Sequence, residues 1–461
     1  MAEPSRQGQN LRVAIIGGGI SGLTAAQQLT SLGYEDVVIF EKDADVGGKI
    51  KSFEYEERPY ELGALIFNHE FTNVTQMADR YGQQFFAVSK PLLIERDGTV
   101  LTYQELIRQR YGYISFLIAA YRMLYGGTSH PRERDVGFAN QDPCLFRPME
   151  EFASVHRIEA ATDCIDSFLA GCGYGYYGDI PALYLMKLAP VFLKELIASG
   201  LSIGEHQGWS IFQNGWQEIC RQMAGDLVVR LRSPVTQIRR AGANDVEITA
   251  NGVTERFARV IFAMPLDETL KFLDATPLER DLFQRIRYLR YLVTLVEGEG
   301  LFTASFKDHV TMDSIGHINF MVQPYTDRPV FQLYQLLGQN MKVADALTLA
   351  QQDVGKINGK ITKIITQKEW RYFPHVTTQD LSLGYYDFLE SLQGKNDTYY
   401  IGALLSFETV EQTTAYAKDL IKRNFGRVRL RAADLAPQRY PGDGKDNQAR
   451  SEQLRSIERR I

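Results

Sequence analysis

The clearest pattern of apolar and polar positions lies near the start of the chain. A short apolar run, Val13–Ile16, ends at a glycine, and a second run of equal length, Val37–Phe40, follows further along. Between them, residues 23–32 carry apolar side chains at helical spacing and end at Gly33, a residue type that commonly terminates helices. Uninterrupted apolar runs of this kind are typical of buried parallel strands. The pattern therefore predicts a strand, a helix and a second, parallel strand of an α/β fold.

The glycines between the first strand and the helix have the spacing of a dinucleotide-binding turn. Gly17 permits a tight turn, Gly19 lets the backbone approach a pyrophosphate, and Gly22 lets the helix pack against the strand. The helix N-terminus offers free N–H groups and a partial positive charge to the phosphates. Glu41, at the end of the second strand, is placed to accept hydrogen bonds from ribose hydroxyls and disfavours a 2′-phosphate. The expected cofactor contacts also include Ile20, Ser21 and Lys42.

A second glycine pair, in the stretch VGGKIKS, follows soon after Glu41. Gly47 and Gly48 allow a loop to fold close over a pyrophosphate, and Lys49 supplies a cation that offsets its charge. The first glycine turn alone does not distinguish NAD from FAD, so this second pair bears on which dinucleotide binds.

Composition and charge exclude several other classes of protein. The chain of 461 residues carries a net charge of -5, which does not favour nucleic acid as a partner. Its seven histidines show no metal-binding spacing, so no metal site is predicted. No pair of cysteines has CxxC spacing, which is typical of reduced thiols in the cytoplasm; the four cysteines are Cys144, Cys164, Cys172 and Cys220.

The N-terminal stretch MAEPSRQGQN is polar and lacks an apolar signal segment, so a cytoplasmic location is expected. The longest apolar stretch, YISFLIAAYRMLYGG from Tyr113, is too short to span a bilayer and contains Arg122. It leaves transient contact with a membrane surface open. The sequence does not specify an oligomeric state.

With the second glycine pair, the sequence resembles the flavin amine oxidase superfamily, whose members carry two glycines and a basic residue after the ribose acid. The resemblance implies noncovalent FAD and an N-terminal Rossmann-like domain. It also implies that the segment Gly63-Ala64-Leu65-Ile66 runs beneath the flavin ring and that the backbone of Val235 reaches the adenine. Gly402 and Ala403 stand where relatives usually carry Gly-Glu, and a helix from about Val410 would aim its N-terminus at the flavin.

The same resemblance implies a discontinuous architecture. The fold class expected is α/β, with a Rossmann-like FAD-binding domain of the amine oxidase type, a mixed α+β substrate region and a helical cap. We assign the FAD-binding domain to residues 11–90, 220–270 and 395–426. Residues 91–219 would form the helical cap, residues 271–394 the substrate-binding region, and residues 427–461 a polar tail.

A narrower resemblance is to the bacterial polyenoic fatty acid isomerases, flavoenzymes that move carbon–carbon double bonds. It is carried by GGKIKSFEYEERPYELGALI, by GCGYGYYGDIPALYLMKL from Gly171, and by the segment that begins EWRYFPHVTTQ at Glu369. The resemblance implies that flavin N5 takes a hydride from an allylic carbon and returns it to another carbon. The protein would then supply positioning, exclusion of water and aromatic faces that tolerate positive charge on a hydrophobic polyene substrate.

The candidate pocket residues come from these blocks: Cys172, Tyr174, Tyr372, Phe373, His375 and Thr409. Tyr176 and Tyr177 share the glycine-rich turn with Tyr174, and Trp370 precedes Tyr372. His375 has two interpretations, a substrate contact or a residue that orders its own loop, of which the second is favoured.

Several positions depart from the relatives. Cys172 stands where the isomerases have an aromatic residue, and Pro91 or Leu92 stands where they place an arginine for a carboxylate, with Lys90 and Arg96 nearby. The strand expected at 291–296 lacks the lysine that amine oxidases hold near the flavin, and Thr409 replaces one of their flanking aromatic residues. The leading hypothesis is an FAD-dependent isomerase of unsaturated lipid-like molecules. An oxidase or desaturase that uses oxygen, and a flavin-binding scaffold without enzymatic activity, remain the alternatives.

Overall fold

A computed structural model describes residues 11–125, 136–200 and 208–426 of the chain. The predicted polar tail at 427–461 lies outside the described residues. The strands in these segments are β1 (Val13–Ile16), β2 (Val37–Phe40), β3 (Ser52–Tyr55), β4 (Arg58–Glu61), β5 (Phe67–Asn68), β6 (Phe85–Ala87), β7 (Leu92–Ile94), β8 (Val100–Leu101), β9 (Trp209–Phe212), β10 (Val228–Arg230), β11 (Val235–Gly242), β12 (Asp245–Ala250), β13 (Val253–Phe257), β14 (Arg259–Phe262), β15 (Arg287–Glu299), β16 (Ala304–Phe306), β17 (Ile318–Val322), β18 (Val330–Leu337), β19 (Lys360–His375) and β20 (Thr398–Tyr400).

The α-helices in the same segments are α1 (Ile20–Ser31), α2 (Thr72–Arg80), α3 (Tyr103–Leu106), α4 (Tyr113–Tyr125), α5 (Met149–His156), α6 (Glu159–Thr162), α7 (Asp166–Gly171), α8 (Ala182–Leu185), α9 (Ala189–Gly200), α10 (Trp216–Ala224), α11 (Leu266–Thr269), α12 (Pro277–Gln284), α13 (Val343–Lys356), α14 (Thr378–Ser382), α15 (Tyr385–Glu390), α16 (Ala403–Ser406) and α17 (Val410–Phe425). A π-helical turn, Ile107–Tyr111, joins α3 to α4.

A five-stranded sheet in the order β10-β2-β1-β14-β20 forms the centre of the fold, and every pairing in it is parallel. Its central strands β1 and β2 are buried along their whole length, as their uninterrupted apolar sequence requires. Helix α1 connects these two strands and packs against α17. The predicted strand, helix and strand at the start of the chain, and the α/β fold class, are confirmed.

The five-stranded sheet draws its strands from three separate parts of the chain. β1 and β2 come from residues 11–90, β10 and β14 from 220–270, and β20 from 395–426. The three-stranded antiparallel sheet of β11, β12 and β13 leads directly into β14. The FAD-binding segments expected from the sequence therefore each contribute to one sheet, although the division into domains stays a prediction.

A second large sheet has seven strands in the order β19-β15-β18-β17-β16-β7-β8. Its long strands β15 and β18 pair along most of their length, and β15 contains the strand expected at 291–296. The edge strand β8 and its neighbour β7 come from residues 91–219, the part of the chain expected to be helical. The rest of the described cap is mostly helical, from α3 to α9.

Candidate active site

The two glycine turns contact each other at the ends of β1 and β2. The N–H of Gly47 donates to the carbonyl of Gly18 at 3.0 Å, and Gly19 and Gly47 form an isolated parallel bridge. A Cβ added at Gly22 would lie 2.1 Å from the carbonyl oxygen of Gly17, and one at Gly48 would lie 3.3 Å from the Cα of Gly19. Side chains at these positions would push the turns apart, so the glycines create a close-packed backbone surface.

The N-terminus of α1 opens onto this surface. Its cap residue is Gly19, no side chain caps the helix, and its first turn contains no acid. The first N–H groups of the helix, from Ile20 to Gly22, are therefore available to an anion. Gly402, just after β20, also lies close to this surface, because a Cβ there would lie 3.8 Å from the Oγ of Ser21. These residues fit the pyrophosphate of a dinucleotide.

Glu41 is buried next to the first glycine turn. Its Oε2 accepts a hydrogen bond from the N–H of Gly18 at 2.7 Å, and its Oε1 accepts from the N–H of Asp43 at 2.8 Å. These bonds orient the carboxylate and leave lone pairs for a ribose. The N–H of Ser233 donates to the carbonyl of Glu41 at 2.8 Å, which brings the chain leading to Val235 alongside the ribose end. Lys42 is exposed beside it.

The segment 63–66 is held from both sides by two tryptophans. The indole Nε1 of Trp216 donates to the carbonyl of Leu65 at 3.0 Å, and that of Trp370 donates to the carbonyl of Leu62. A Cβ at Gly63 would lie 1.8 Å from the carbonyl oxygen of Lys49, so only glycine fits where this segment crosses the second glycine turn. The segment is thereby fixed as the floor of the adjacent cavity, where the resemblance places the flavin ring.

An apolar and aromatic cavity lies over this floor, and we call it the aromatic cavity. The described residues that line it are Gly63, Ala64, Leu65, Ile66, Phe67, Phe71, Val74, Gly171, Cys172, Tyr174, Leu188, Phe192, Trp209, Trp216, Tyr291, Phe320, Tyr334, Tyr372, Glu408, Thr409 and Val410.

Four tyrosines form a continuous row along one wall of the cavity. Tyr372 stacks against Tyr291 with ring centroids 4.9 Å apart and against Tyr174 at 6.2 Å, and Tyr291 stacks against Tyr334 at 5.8 Å. Tyr174 donates to the backbone carbonyl of Glu408 at 3.1 Å, and Tyr291 donates to that of Gly171. Burial raises the pKa of each of these phenols, so all of them remain neutral.

Glu408 is the carboxylate of the aromatic cavity, and Lys49 neutralises it. The Nζ of Lys49 lies 2.7 Å from Oε2 of Glu408 and 5.2 Å from the ring centroid of Tyr372. The N–H of Phe373 donates to the same Oε2 at 3.1 Å. The cation expected to face the pyrophosphate is therefore directed at the edge of the cavity in this structure.

The backbone before Glu408 is strained. Phe407 has φ 105° and ψ 155°, a backbone conformation that residues other than glycine rarely adopt. It costs on the order of 1–3 kcal/mol. Its buried ring packs against Tyr174, with centroids 4.8 Å apart. This packing holds the strained turn in place and fixes the direction in which Glu408 leaves the chain.

Four of the six predicted pocket residues, Cys172, Tyr174, Tyr372 and Thr409, line the aromatic cavity together. The structure also places the predicted helix start at its wall, because the Oγ1 of Thr409 accepts from the N–H of Gln412 at 3.1 Å and caps α17 at Val410. Ala403, which begins α16, is not among the lining residues.

Phe373 and His375 lie behind the cavity wall. Phe373 packs against Tyr174 at 5.4 Å, and the Nδ1 of His375 is hydrogen-bonded to the carbonyl of Phe373 at 2.8 Å. Burial lowers the pKa of His375, so the ring is neutral. This contact fits the interpretation that His375 orders its own loop. Tyr176 and Tyr177 are likewise not among the lining residues.

Sequence reasoning missed Glu408, Tyr291, Tyr334 and Phe320 as cavity residues. Tyr291 and Tyr334 lie on β15 and β18, and the register of the seven-stranded sheet brings them to one face. That register could not be read from one sequence. Glu408 adjoins Thr409, so an acid next to a predicted pocket residue was the available signal.

A separate cluster of His309, His317 and Asp353 lies between β17 and α13, with ligand atoms within 4.8 Å of one another. The Nδ1 of His317 lies 2.9 Å from Oδ1 of Asp353, and the Nζ of Lys356 lies 3.2 Å from the same oxygen. The N–H of Ile318 donates to Asp353 at 3.0 Å. Because an ammonium group already neutralises the carboxylate, the cluster serves to fasten α13 to the sheet.

Residues 20–296 match the family of flavin containing amine oxidoreductases, a stretch that is more than half of the chain. The chain belongs to this family. Membership identifies the dinucleotide as a flavin, and the glycine turns and Glu41 fit the diphosphate and ribose of FAD. Among the described residues, no helix has both the length and the apolar character needed to cross a bilayer.

Two curated relatives illustrate the range of the family. The FAD-dependent oxidoreductase dpasF of Apiospora sacchari is 26% identical over 455 residues, covering 88% of this chain and 90% of the relative. The polyenoic fatty acid isomerase of Ptilota filicina is 23% identical over 206 residues, covering 39% of this chain and 41% of the relative.

Solved structures of the family share the fold. The fatty acid isomerase of P. acnes, which produces CLA, superimposes with a TM-score of 0.82 at 24% identity and covers 92% of this chain and 100% of that one. A putrescine oxidase variant gives a TM-score of 0.67 at 15% identity, covering 91% and 99%. The expected amine oxidase type of fold is therefore confirmed.

Proposed function

We propose that this flavoprotein is an FAD-dependent isomerase that moves carbon–carbon double bonds in an unsaturated, lipid-like substrate. The proposal is supported by the likeness to two fatty acid isomerases, one by sequence and one by fold. The chemistry of the side chains that line the aromatic cavity supports the same proposal independently of this likeness.

Among the described residues that line the cavity, no side chain is free to act as a base. None of the described residues lining it is a lysine, an arginine or a histidine. Burial raises the pKa of the Cys172 thiol and of the lining tyrosines, which therefore stay protonated. Glu408 is held by Lys49 and by the N–H of Phe373. Such a site suits the transfer of a hydride, which requires no proton transfer to the protein.

FAD, when bound, supplies hydride abstraction from the substrate and the return of that hydride. The protein's part is to orient the substrate against the floor at residues 63–66 and to exclude water. A substrate that loses a hydride becomes positively charged, and a ring face of the tyrosine row that meets the substrate attracts this charge. Each such contact is worth about 0.5–2 kcal/mol when water is excluded.

The substrate's apolar portion is the part that the cavity recognises. Lys90 and Arg96 are exposed and are not among the lining residues, and Lys49 is engaged by Glu408. A carboxylate on the substrate finds no free cation among the lining residues of the described chain. We therefore expect a polyenoic fatty acid and its methyl ester or alcohol to be converted at similar rates.

The deciding experiment incubates the FAD-loaded protein with conjugated and nonconjugated polyenes under anaerobic conditions. A rearranged product without lasting bleaching of the flavin absorbance is expected. Lasting flavin reduction with no rearranged product would refute the proposal.

Two variants of one residue test the role of the aromatic row. Tyr372→Leu removes an aromatic face, and turnover should fall by about tenfold. Tyr372→Phe retains the face and should keep most of the activity. Equal activities of the two variants would show that the face does not stabilise charge on the substrate.

A second candidate is an oxidase or desaturase that passes electrons to oxygen. It is favoured by Glu408, whose carboxylate lies in the cavity and could accept a proton if Lys49 moved away. The likeness to a fungal FAD-dependent oxidoreductase is consistent with it. Hydrogen peroxide formed in proportion to substrate loss in air would identify this activity.

We further propose a cytoplasmic location, because all four cysteines are free and Cys164 and Cys220 are buried as thiols. The net charge of -5 gives no reason to expect nucleic acid as a partner.

A further inference from the structure

Helix α4 presents a row of large apolar side chains to solvent. Ile114 is 77% exposed, Tyr121 66% and Tyr125 69%, and Leu117 and Ile118 are 41% and 47% exposed. These five residues are here called the α4 face. They follow one another at steps of three, one, three and four residues, which places them on one side of a helix.

The opposite side of α4 is anchored in the core. Phe116, Ala119, Ala120 and Met123 are buried, each at most 3% exposed. The helix is therefore firmly seated and its α4 face is directed outward. Soluble surfaces rarely carry a contiguous apolar patch of this kind without a partner.

Most of the exposed charges next to the α4 face are basic. The helix itself contains no acid, and Arg122 is exposed on it. Arg122 donates to the backbone carbonyl of Arg157, so a second exposed guanidinium lies close by. Arg108, in the π-helical turn before α4, is also exposed. Of the nearby acids, Glu105 is committed to its own capping box and Asp163 to Arg110 and Lys307, whereas Glu159 on α6, which packs against α4, is exposed.

Helix α4 is also joined to the aromatic cavity through a neighbouring helix. Helix α4 packs against α9, and Phe192 of α9 lines the cavity with Leu188, just before that helix. Helix α9 thus connects α4 to the wall of the cavity.

We propose that the α4 face is a docking surface for an anionic lipid bilayer. Apolar side chains enter the interface, tyrosines lie at the level of the headgroups, and arginines meet anionic phosphates. A second copy of this chain fits the same surface less well, because pairing two α4 faces would bring the arginines of both copies together. The docking does not depend on which reaction the flavin performs.

The experiment is sedimentation of the FAD-loaded protein with lipid vesicles. Vesicles of phosphatidylcholine mixed with phosphatidylglycerol should bind the protein, more strongly at low salt than at high salt. The double variant Ile114→Ser, Tyr121→Ser should bind these vesicles at least about tenfold more weakly, because two large apolar groups no longer enter the interface.

Val253→Ser is the matched control, because Val253 is 60% exposed on β13, in a different sheet. It should leave vesicle binding unchanged, and the flavin absorbance spectrum should show that every variant is folded. The variant Arg108→Gln, Arg122→Gln should lose about fivefold or more on anionic vesicles and little on phosphatidylcholine alone.

Two results would overturn the proposal. One is equal sedimentation of the wild type and the double serine variant with anionic vesicles. The other is a dimer in equilibrium ultracentrifugation that dissociates in the double serine variant, since this would show that a second copy covers the α4 face.

Discussion

The glycine turns that fit the pyrophosphate come from two short stretches, residues 17–22 and 47–49, whereas the aromatic cavity beside them draws on distant parts of the chain. Its tyrosines at 174, 291, 334 and 372 lie on a turn and on three strands of a different sheet. Backbone conformation dominates in the first region and side-chain packing in the second. Binding of FAD therefore depends on a few small residues, and selection of the substrate on many large ones.

The largest expected effect comes from a single methyl group in the glycine turns. In Gly22→Ala the new Cβ would lie 2.1 Å from the carbonyl oxygen of Gly17, so α1 has to move away from the turn. The affinity for FAD, measured by titration of flavin fluorescence, should fall by about tenfold or more. Gly355→Ala, in α13 with nothing within 4 Å of the new Cβ, should bind FAD normally. Equal affinities would mean that the turn tolerates a side chain.

The ion pair of Lys49 and Glu408 connects the two regions. Breaking it tests how much this connection stabilises the fold. Lys49→Met leaves the Glu408 carboxylate, 9% exposed, without its cation. The free energy of unfolding should fall by about 3 kcal/mol in urea titrations. The double variant Lys49→Met, Glu408→Gln should recover most of that loss. If the double variant is no more stable than the single one, the pair is not what stabilises this junction.

Glu61, at the end of β4 before the flavin floor, should make stability depend on pH. It accepts from the N–H of Trp216 at 2.8 Å and from Ser52 at 3.0 Å, and burial raises its pKa from 4.5 to about 7. Between these values the native state holds a proton that the unfolded chain releases. The free energy of unfolding therefore falls as pH rises through this window, by on the order of 3 kcal/mol, and is level above it.

Glu61→Gln should remove this fall, which denaturant titrations at a series of pH values would detect. A slope that is unchanged in the variant would assign the pH dependence to another group.

The smallest expected effect concerns the helix that ends at the cavity. Thr409→Ala removes the cap of α17 and should lower the free energy of unfolding by about 1 kcal/mol. Thr348→Ala, within α13, removes no cap and should change the free energy of unfolding by only about 0.3 kcal/mol. A thermal melt compares the two, and equal losses would show that capping is not the cause.

The regions also differ in how far the sequence predicts them. β1, α1, β2 and the placement of Glu41 follow from local spacing, because a turn, a helix and a short strand are defined by neighbouring residues. The start of α17 at Val410 was expected from the resemblance to the flavin amine oxidase superfamily. The row of tyrosines was not predicted as a row, because β15 pairs with β18 and β19 over long separations in sequence. Strand register of this kind is decided by tertiary packing.

Lys49 shows that the direction of a side chain can escape prediction even within a motif whose backbone is predicted well. Its place in the second glycine turn indicates a cation near the phosphates, but the direction of its side chain depends on Glu408, 359 residues later. Cys172 and Thr409, where the chain departs from its relatives, do line the cavity. The sequence thus identified two cavity positions at which this chain departs from its relatives, but not the carboxylate of Glu408 that lines the same cavity.

The order of strands in the five-stranded sheet has a consequence for biosynthesis. β1 and its glycine turn leave the ribosome well before the neighbouring strand β14, the edge strand β20, and helix α17, which packs against α1. A nascent chain therefore carries an incomplete nucleotide fold with apolar edges through most of translation. Loading of flavin becomes a late event, coupled to the arrival of β20 and α17, and chaperones are expected to protect the unfinished sheet until then.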